Sequence, residues 1–474
     1  MSIFATYLSS ISYLALPGKA FADNWNPLVF SIALLPAGWI ATRYFVPMYR
    51  ASDDVSAYAW FERRFGLWAR LVASVFYLLF QIARVGLVMY LMALPLTLLF
   101  GWDIRIVLVA TGVAVTAYSF VGGIVAVIYA DAIQAVILLA GALFALVMIF
   151  GGMPDGIAAT LSANAEQGKL SLGSYDVTDW RNPTVWVILA YGLMENSRNF
   201  GVDQSYVQRY IAAKDERQAR GGVWLSVLAY IPVSALFLLI GTSLFAYYAA
   251  HPETLKDLRR MVAVERGIEA EAVQTDQLAD RVFPHFIANA LPIGIRGLLI
   301  AAIFAAAMST VSTSLNSSAT LVLSDFYQRL YRPNPPPASA MRVLRSATIA
   351  WGAMGTAMSL ILVRVTAAAL DIWWTLSGVL GAALIGMFLL GRLHPRLHRG
   401  RAILPIMVGL AAIAWMTVTS WPTVAEGLAE RQLGWLTFRL HPFLIIAIGP
   451  AVMLIVGAML RQPTAMESTK PHRP

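Results

Sequence analysis

Three groups of polar residues lie inside long apolar stretches of this 474-residue chain, where water cannot satisfy them. Arg84 sits in the middle of LLFQIARVGLVMYL, too far from either end of the stretch to reach water easily. A guanidinium there either satisfies helix carbonyls or anchors a carboxylate, which it can grip with two parallel hydrogen bonds. Asp131 lies in GGIVAVIYADAIQAVILLAG, eight residues into the helix that follows a Gly-Gly turn, with Gln134 one turn later. A lone carboxylate at that depth calls for a cation, a proton or a hydrogen-bonded partner. The third group is AAIFAAAMSTVSTSLNSSAT, where nine of the twelve residues from Ser309 to Thr320 are Ser, Thr or Asn. Back-bonding of hydroxyls to the preceding turn of a packed helix accounts for two or three of them, not nine. Ser309 and Thr313 share a helix face, with Ser312 beside them, and hydroxyl oxygens suit a hard cation such as Na⁺.

The elements that hold these residues follow from composition. Hydrophobic residues make up 58% of the chain and charged residues 13%, against roughly 25% in a soluble domain. This is the composition of an integral membrane protein. The net charge of +9 belongs to its loops rather than to a nucleic-acid surface. With no cysteine, no HExxH pair and no Walker A motif, disulfides, thiolate metal sites, zinc-hydrolase chemistry and P-loop ATP hydrolysis are excluded, and no enzyme class is indicated. A crossing helix needs about 20 mostly apolar residues. Uncharged runs of that order occur at 1–18, 24–42, 85–102, 106–130, 132–154, 221–252, 297–324, 346–363, 372–391, 402–425 and 440–460. The segment 184–210, apolar and then polar, makes twelve predicted spans. Arg and Lys cluster in alternate loops: Arg43 to Arg70, Arg209 to Arg220, Arg329 to Arg345, and Arg392 to Arg401. The loop 249–282 on the other side carries five basic and seven acidic residues. That asymmetry places both ends in the cytoplasm of a multi-pass protein of the cell membrane. Pro333–Pro337 reads as a stiff inner connector.

Two spans read as interrupted. FATYLSSISYLALPG is rich in hydroxyls and ends in Pro17-Gly18, the pattern of a broken membrane helix. In YGLMENSRNFGVDQSYVQRYIAAK the polar residues Asn196, Asn199, Gly201 and Gln204 break the apolar pattern. They mark a second interruption, a helix lining a watery cavity, or an early cytoplasmic end near Asn196. Asn196 and Asn199 are thus candidates for contact with a solute.

In the order ATYLSSISYLALPG, GGIVAVIYADAIQ, DQSYVQRYIAAK, AAIFAAAMSTVSTSLNSSATLVLSDFY and SGVLGAALIGMFLLG, the chain resembles the solute:sodium symporter family over nearly its whole length. This is the family of sodium–glucose, sodium–proline and sodium–sialic acid transporters. The resemblance implies an all-α LeuT-like fold, two inverted five-helix repeats around a midplane site. The repeats are expected at 1–150 and 184–392, with peripheral helices at 402–461. Family members have one more helix and the inner half of the first span ahead of the point matching Met1, so the first helix is expected to be incomplete. The resemblance places a shared Na⁺ site on the carbonyls of Ala5, Leu8 and Ala306 and the hydroxyls of Ser309 and Thr310. It places a second on Asp131, Ser312 and Thr313, with Ser309 shared. It puts Arg84 on the substrate carboxylate and Ser9 and Ser12 against the substrate. The aromatic inner gate of the sugar-transporting members aligns with Asn199, which speaks against a glucose-type site. The implied function is Na⁺-coupled symport of a small organic anion, a carboxylate or acidic sugar such as sialic acid, with one or two Na⁺ and no obligate protein partner. The alternatives are a neutral solute with Arg84 structural, a proton-coupled carrier using Asp131, and a transporter-like sensor without flux.

Overall fold

The computed structural model describes residues 4, 7, 11–52, 54–121, 124–153, 156–365 and 368–460, without the side chains of 121–135, 159, 266 and 422. Among the described residues every regular element is helical. Each of the twelve predicted segments contains helix. The first, α1, is a wide π-helical turn, Ile11–Ala15, running into Leu16–Ala22. Then follow α2 (Asn26–Arg50), α3 (Leu67–Phe100), α4 (Ile104–Val121) and α5 (Ile124–Gly151). The sixth is split into α6a (Val185–Val202) and α6b (Gln204–Ala212). The rest are α7 (Glu216–Ala250), α8 (Ile293–Tyr331), α9 (Pro337–Leu362), α10 (Ala369–Leu393), α11 (Ile403–Thr419) and α12 (Pro442–Met459). Among the described residues six of these, α2, α3, α7, α8, α10 and α12, are by themselves long and apolar enough to cross a bilayer, or eight if α5 and α11 are each counted with the bent helix that follows.

The helix of 34 residues that carries Arg84 is about 51 Å long, well beyond the ~30 Å hydrocarbon core. Arg84 is 17 residues from its start, about 25 Å, so no rotamer brings its charge to water at either end. α3 packs on α8, α9 and α10, while α1 packs on α7 and the outer helix Thr275–Ala290. The close approach around α1 is made by glycine. A Cβ on Gly241 of α7 would lie 2.0 Å from the Pro17 carbonyl oxygen, and one on Gly18 would lie 2.3 Å from that of Ala279.

The break in α1 is not at Pro17-Gly18, as the sequence suggested. The helix continues through both residues to Ala22. Pro17 stands in the first turn of the α-helical part, where its missing N–H is no loss. The irregularity lies upstream, in the π turn, where the Ser12 hydroxyl donates to the Tyr7 carbonyl five residues back. The interruption in the sixth span falls at Asp203, within the polar stretch, and the helix does not end near Asn196. Asp203 is extended, and its carboxylate caps α6b through the Ser205 N–H at 2.8 Å. Three of the carbonyls left open at the end of α6a each accept from a tyrosine: Phe200 from Tyr210, Gly201 from Tyr49 and Val202 from Tyr58, at 3.1, 2.7 and 3.1 Å. Hydroxyls on three elements thus replace the missing helix turn, which is what lets a membrane helix break without leaving bare carbonyls.

Outside the spans, Thr275–Ala290 carries His285, buried against Tyr248 with Nδ1 2.7 Å from the phenol oxygen. Burial holds its pKa down at about 4. The unfolded chain therefore binds a proton that the folded one refuses between about pH 6.5 and 4. The stabilisation is full above pH 6.5 and is lost as the pH falls toward 4, up to about 3 kcal/mol. Melting in detergent at pH 7 and pH 4.5 should show a larger acid loss for the wild type than for His285→Gln. Equal losses would remove His285 from the acid response.

Candidate functional site

A narrow cavity with about 70 Å³ of water-accessible space lies between α1, α2, α3, α6, α7 and α10. With the basic loops cytoplasmic, its inner floor is aromatic. Tyr7 meets Tyr206 and Tyr230 at ring-centroid distances of 5.3 and 5.2 Å, with Phe200 5.7 Å away. Its outer roof is aromatic too: Phe30 stacks on Trp374 at 5.3 Å, and Phe80 packs on Trp373 at 5.1 Å. Trp374 also walls a second, outer chamber, where Lys19 of α1 binds Asp371 of α10 at 2.8 Å and Asp23 at 2.6 Å. The same chamber holds His441, whose pKa burial lowers to about 4, so it is uncharged at neutral pH.

Polar groups enter the aromatic box at few points. Ser12 lines it from the π turn, its hydroxyl 3.0 Å from that of Tyr230. Arg84 lines it from α3 and is 8% exposed. α6a contributes Asn199 and Glu195. Asn196, expected in the same site, is not among the lining residues: it is fully buried, and its amide donates to the Phe30 carbonyl at 3.1 Å. One helical position separates Asn196 from Glu195, and that rotation of about 100° turns it toward α2. Ser9, Ala5 and Leu8 lie outside the described residues, as does the side chain of Asp131.

Behind the cavity wall is a buried charge network that the sequence reading left aside. Arg198 holds Glu195 with two bonds, Nε–Oε2 at 2.8 Å and Nη2–Oε1 at 2.7 Å, and reaches Asp203 at 3.5 Å. Its Nη2 also donates to the Asn199 oxygen at 2.6 Å. Ser377 of α10 donates to Glu195 Oε1, and the guanidinium lies over the Phe80 ring, 4.3 Å from its centroid. Gly381 makes room for the pair, since a Cβ there would sit 2.4 Å from Arg198 Cδ. The signal was present in the sequence as acid and base three residues apart in an apolar helix, spacing that pairs them on one face.

On α8, the Thr310 hydroxyl donates to the Ala306 carbonyl at 3.1 Å, which places those two oxygens side by side. Ser309 and Thr313 are half-buried and Ser312 is buried. Ser317 and Thr320 bond back to carbonyls three and four residues earlier, so back-bonding accounts for at least three of the nine polar residues. Tyr77 of α3 joins Ser317 to Ser205 of α6b at 3.1 and 2.9 Å. The hydroxyl face of α8 therefore stands against the broken helix and the arginine helix.

The site is thus a narrow chamber between broken helices, with aromatic side chains on its floor and roof. The Sodium:solute symporter family model matches residues 1–409, and the chain belongs to that family. It is 32% identical over 419 residues to the sodium/sialic acid symporter SiaT of Proteus mirabilis, covering 87% of this chain and 80% of that one. It is 30% identical over 419 residues to the sodium/sialic acid symporter NanT of Aliivibrio fischeri, covering 88% and 79%. A solved Na⁺-coupled sialic acid symporter, substrate-bound and outward-open, superposes with a TM-score of 0.80 at 29% identity, over 97% of this chain and 88% of that one. The fold is thus LeuT-like and all-α, and the protein is a multi-pass membrane symporter that couples a solute to Na⁺.

Proposed function

We propose that the protein carries a sialic acid or a closely related sugar acid into the cell with Na⁺, the substrate carboxylate held by Arg84. The observation that carries this reading is Arg84 itself, a guanidinium at membrane depth on the wall of an aromatic cavity. Its fork matches a carboxylate, and the low-dielectric surroundings strengthen that pair. The two sialic acid symporters among its relatives support the choice of anion. Na⁺ is read onto the Ala306 carbonyl with Ser309 and Thr310, and a second ion onto Asp131 with Ser312 and Thr313. The adjacency of the Ala306 and Thr310 oxygens supports the first. Na⁺ on α8 steadies α1 against it while the cavity faces outward. Substrate then draws α1, α3 and α6 together, and loss of Na⁺ to the cytoplasm releases both. Each Na⁺ moving inward across 100 mV contributes roughly 2.3 kcal/mol.

Proteoliposomes loaded with K⁺ and diluted into Na⁺ should accumulate labelled N-acetylneuraminate above equilibrium. Replacing external Na⁺ with choline should abolish accumulation. Uptake indifferent to Na⁺ would refute coupling, and Na⁺-driven uptake of a neutral sugar with no response to sialic acid would refute the substrate.

A further inference from the structure

The cavity has a second polar pole, and its hydrogen-bond arithmetic is unfinished. An ionised carboxylate offers about four lone-pair positions. Glu195, 2% exposed, fills three of them: Arg198 Nε on Oε2, and Arg198 Nη2 and Ser377 on Oε1. Among the described residues, one acceptor position on Oε2 remains. Beside it, Asn199 faces Arg198, which can only donate, so the atom in that bond is the amide oxygen. The Asn199 NH₂ group is left as a donor. Both residues line the cavity that Arg84 enters from another helix.

We infer that Glu195 and Asn199 together form a subsite that reads a group able both to donate and to accept a hydrogen bond, a hydroxyl or an N-acyl amide, and so selects hydroxylated or amide-bearing acids over plain carboxylates. This rests on the carboxylate reading above and deepens it. Arg198 is the positioning residue: its fork sets the Glu195 carboxylate plane and turns the Asn199 amide. A carboxylate lacking such a group leaves a buried acceptor and a buried donor unpaired, the arrangement by which sites reject analogues most strongly.

The test is competition against labelled N-acetylneuraminate uptake in proteoliposomes, using unlabelled N-acetylneuraminate and pyruvate, which keeps a carboxylate without the hydroxylated tail. Wild type should prefer the sugar acid strongly. In Glu195→Gln, with the amide oxygen kept at the Oε1 position where Arg198 Nη2 and Ser377 both donate, the NH₂ group presents a donor where the Oε2 acceptor stood. The preference should fall about 10- to 100-fold through loss of sugar-acid affinity, with the inhibition by pyruvate little changed. Glu195→Met/Arg198→Met removes the pair together, which avoids a stranded charge and keeps the question answerable if the single variant fails to fold. It should lose the preference as well, while Na⁺ still raises its melting temperature. An unchanged preference in a variant that Na⁺ still stabilises would overturn the assignment and leave the carboxylate reading standing. Wild-type uptake inhibited by neither acid would overturn the carboxylate reading itself.

Discussion

Arg84→Ala is expected to lower the apparent affinity for an acidic substrate by about 30- to 4,000-fold, with Na⁺-dependent thermal stabilisation retained. The size follows from the surroundings. Truncating one partner of a desolvated, hydrogen-bonded charge pair costs about 2–5 kcal/mol, because the other charge is then left without its counterpart in a low dielectric. Arg84 meets the conditions: it is mid-helix, 8% exposed, and walled by Phe80, Trp373 and the tyrosine floor. Arg84→Lys should recover only part of the loss, since an ammonium restores the charge but not the two-pronged geometry. Uptake of labelled N-acetylneuraminate at several concentrations separates the outcomes. A raised KM with the Na⁺-induced rise in melting temperature intact places Arg84 on the substrate. Unchanged KM would make it a structural arginine serving its own helix bundle.

The polar residues most legible in the sequence were those that stood alone. Arg84 could be read as a site residue because a guanidinium midway along an apolar helix stands out, and it does line the cavity. The hydroxyl run of α8 stood out by density, and the twelve apolar segments by length. Less legible was everything whose role depends on another element. Pro17 looked like a break because proline breaks helices, yet the wide turn upstream absorbs the irregularity and proline starts the next helix. Asn196 and Glu195 are neighbours in sequence, and only the rotation of α6a decides which one meets the cavity. The aromatic gate expected at Asn199 in sugar-transporting members has no aromatic there. The floor is instead assembled from Tyr7, Tyr206 and Tyr230 on three helices, a set that no local pattern announces. The tyrosines that close the α6 break come from positions 49, 58 and 210 for the same reason.

The second large effect is expected at the cytoplasmic end, where Arg70→Ala should lower stability by about 3–5 kcal/mol. Asp325, in the wide turn that ends α8, is fully buried. Its Oδ1 accepts from Arg70 at 2.6 Å and Ser324 at 2.7 Å, and its Oδ2 from Ser74 at 2.6 Å and Ser56 at 2.9 Å. All four acceptor positions are filled, and Arg70 is the only cation among those four donors. Its loss leaves a buried charge supported by hydroxyls alone. Ser56 gives the cluster a further reach. On one side it holds Asp325 of α8, and its neighbours Val55 and Ala57 are held by Gln204 of α6b at 2.8 and 2.7 Å. The stretch between α2 and α3 is thereby clamped between the inner half of the broken helix and the inner end of the hydroxyl helix. Ser56→Ala cuts one neutral-to-charged bond and should cost about 1.5–3 kcal/mol, clearly less than Arg70→Ala. Arg70→Met/Asp325→Leu, which removes both charges, should melt close to wild type, because the penalty lies in the unpaired carboxylate and not in the lost attraction. Melting curves of the three variants decide between these accounts. If the double variant is as damaged as Arg70→Ala, the cluster stabilises through its geometry, and the stranded-charge explanation is wrong.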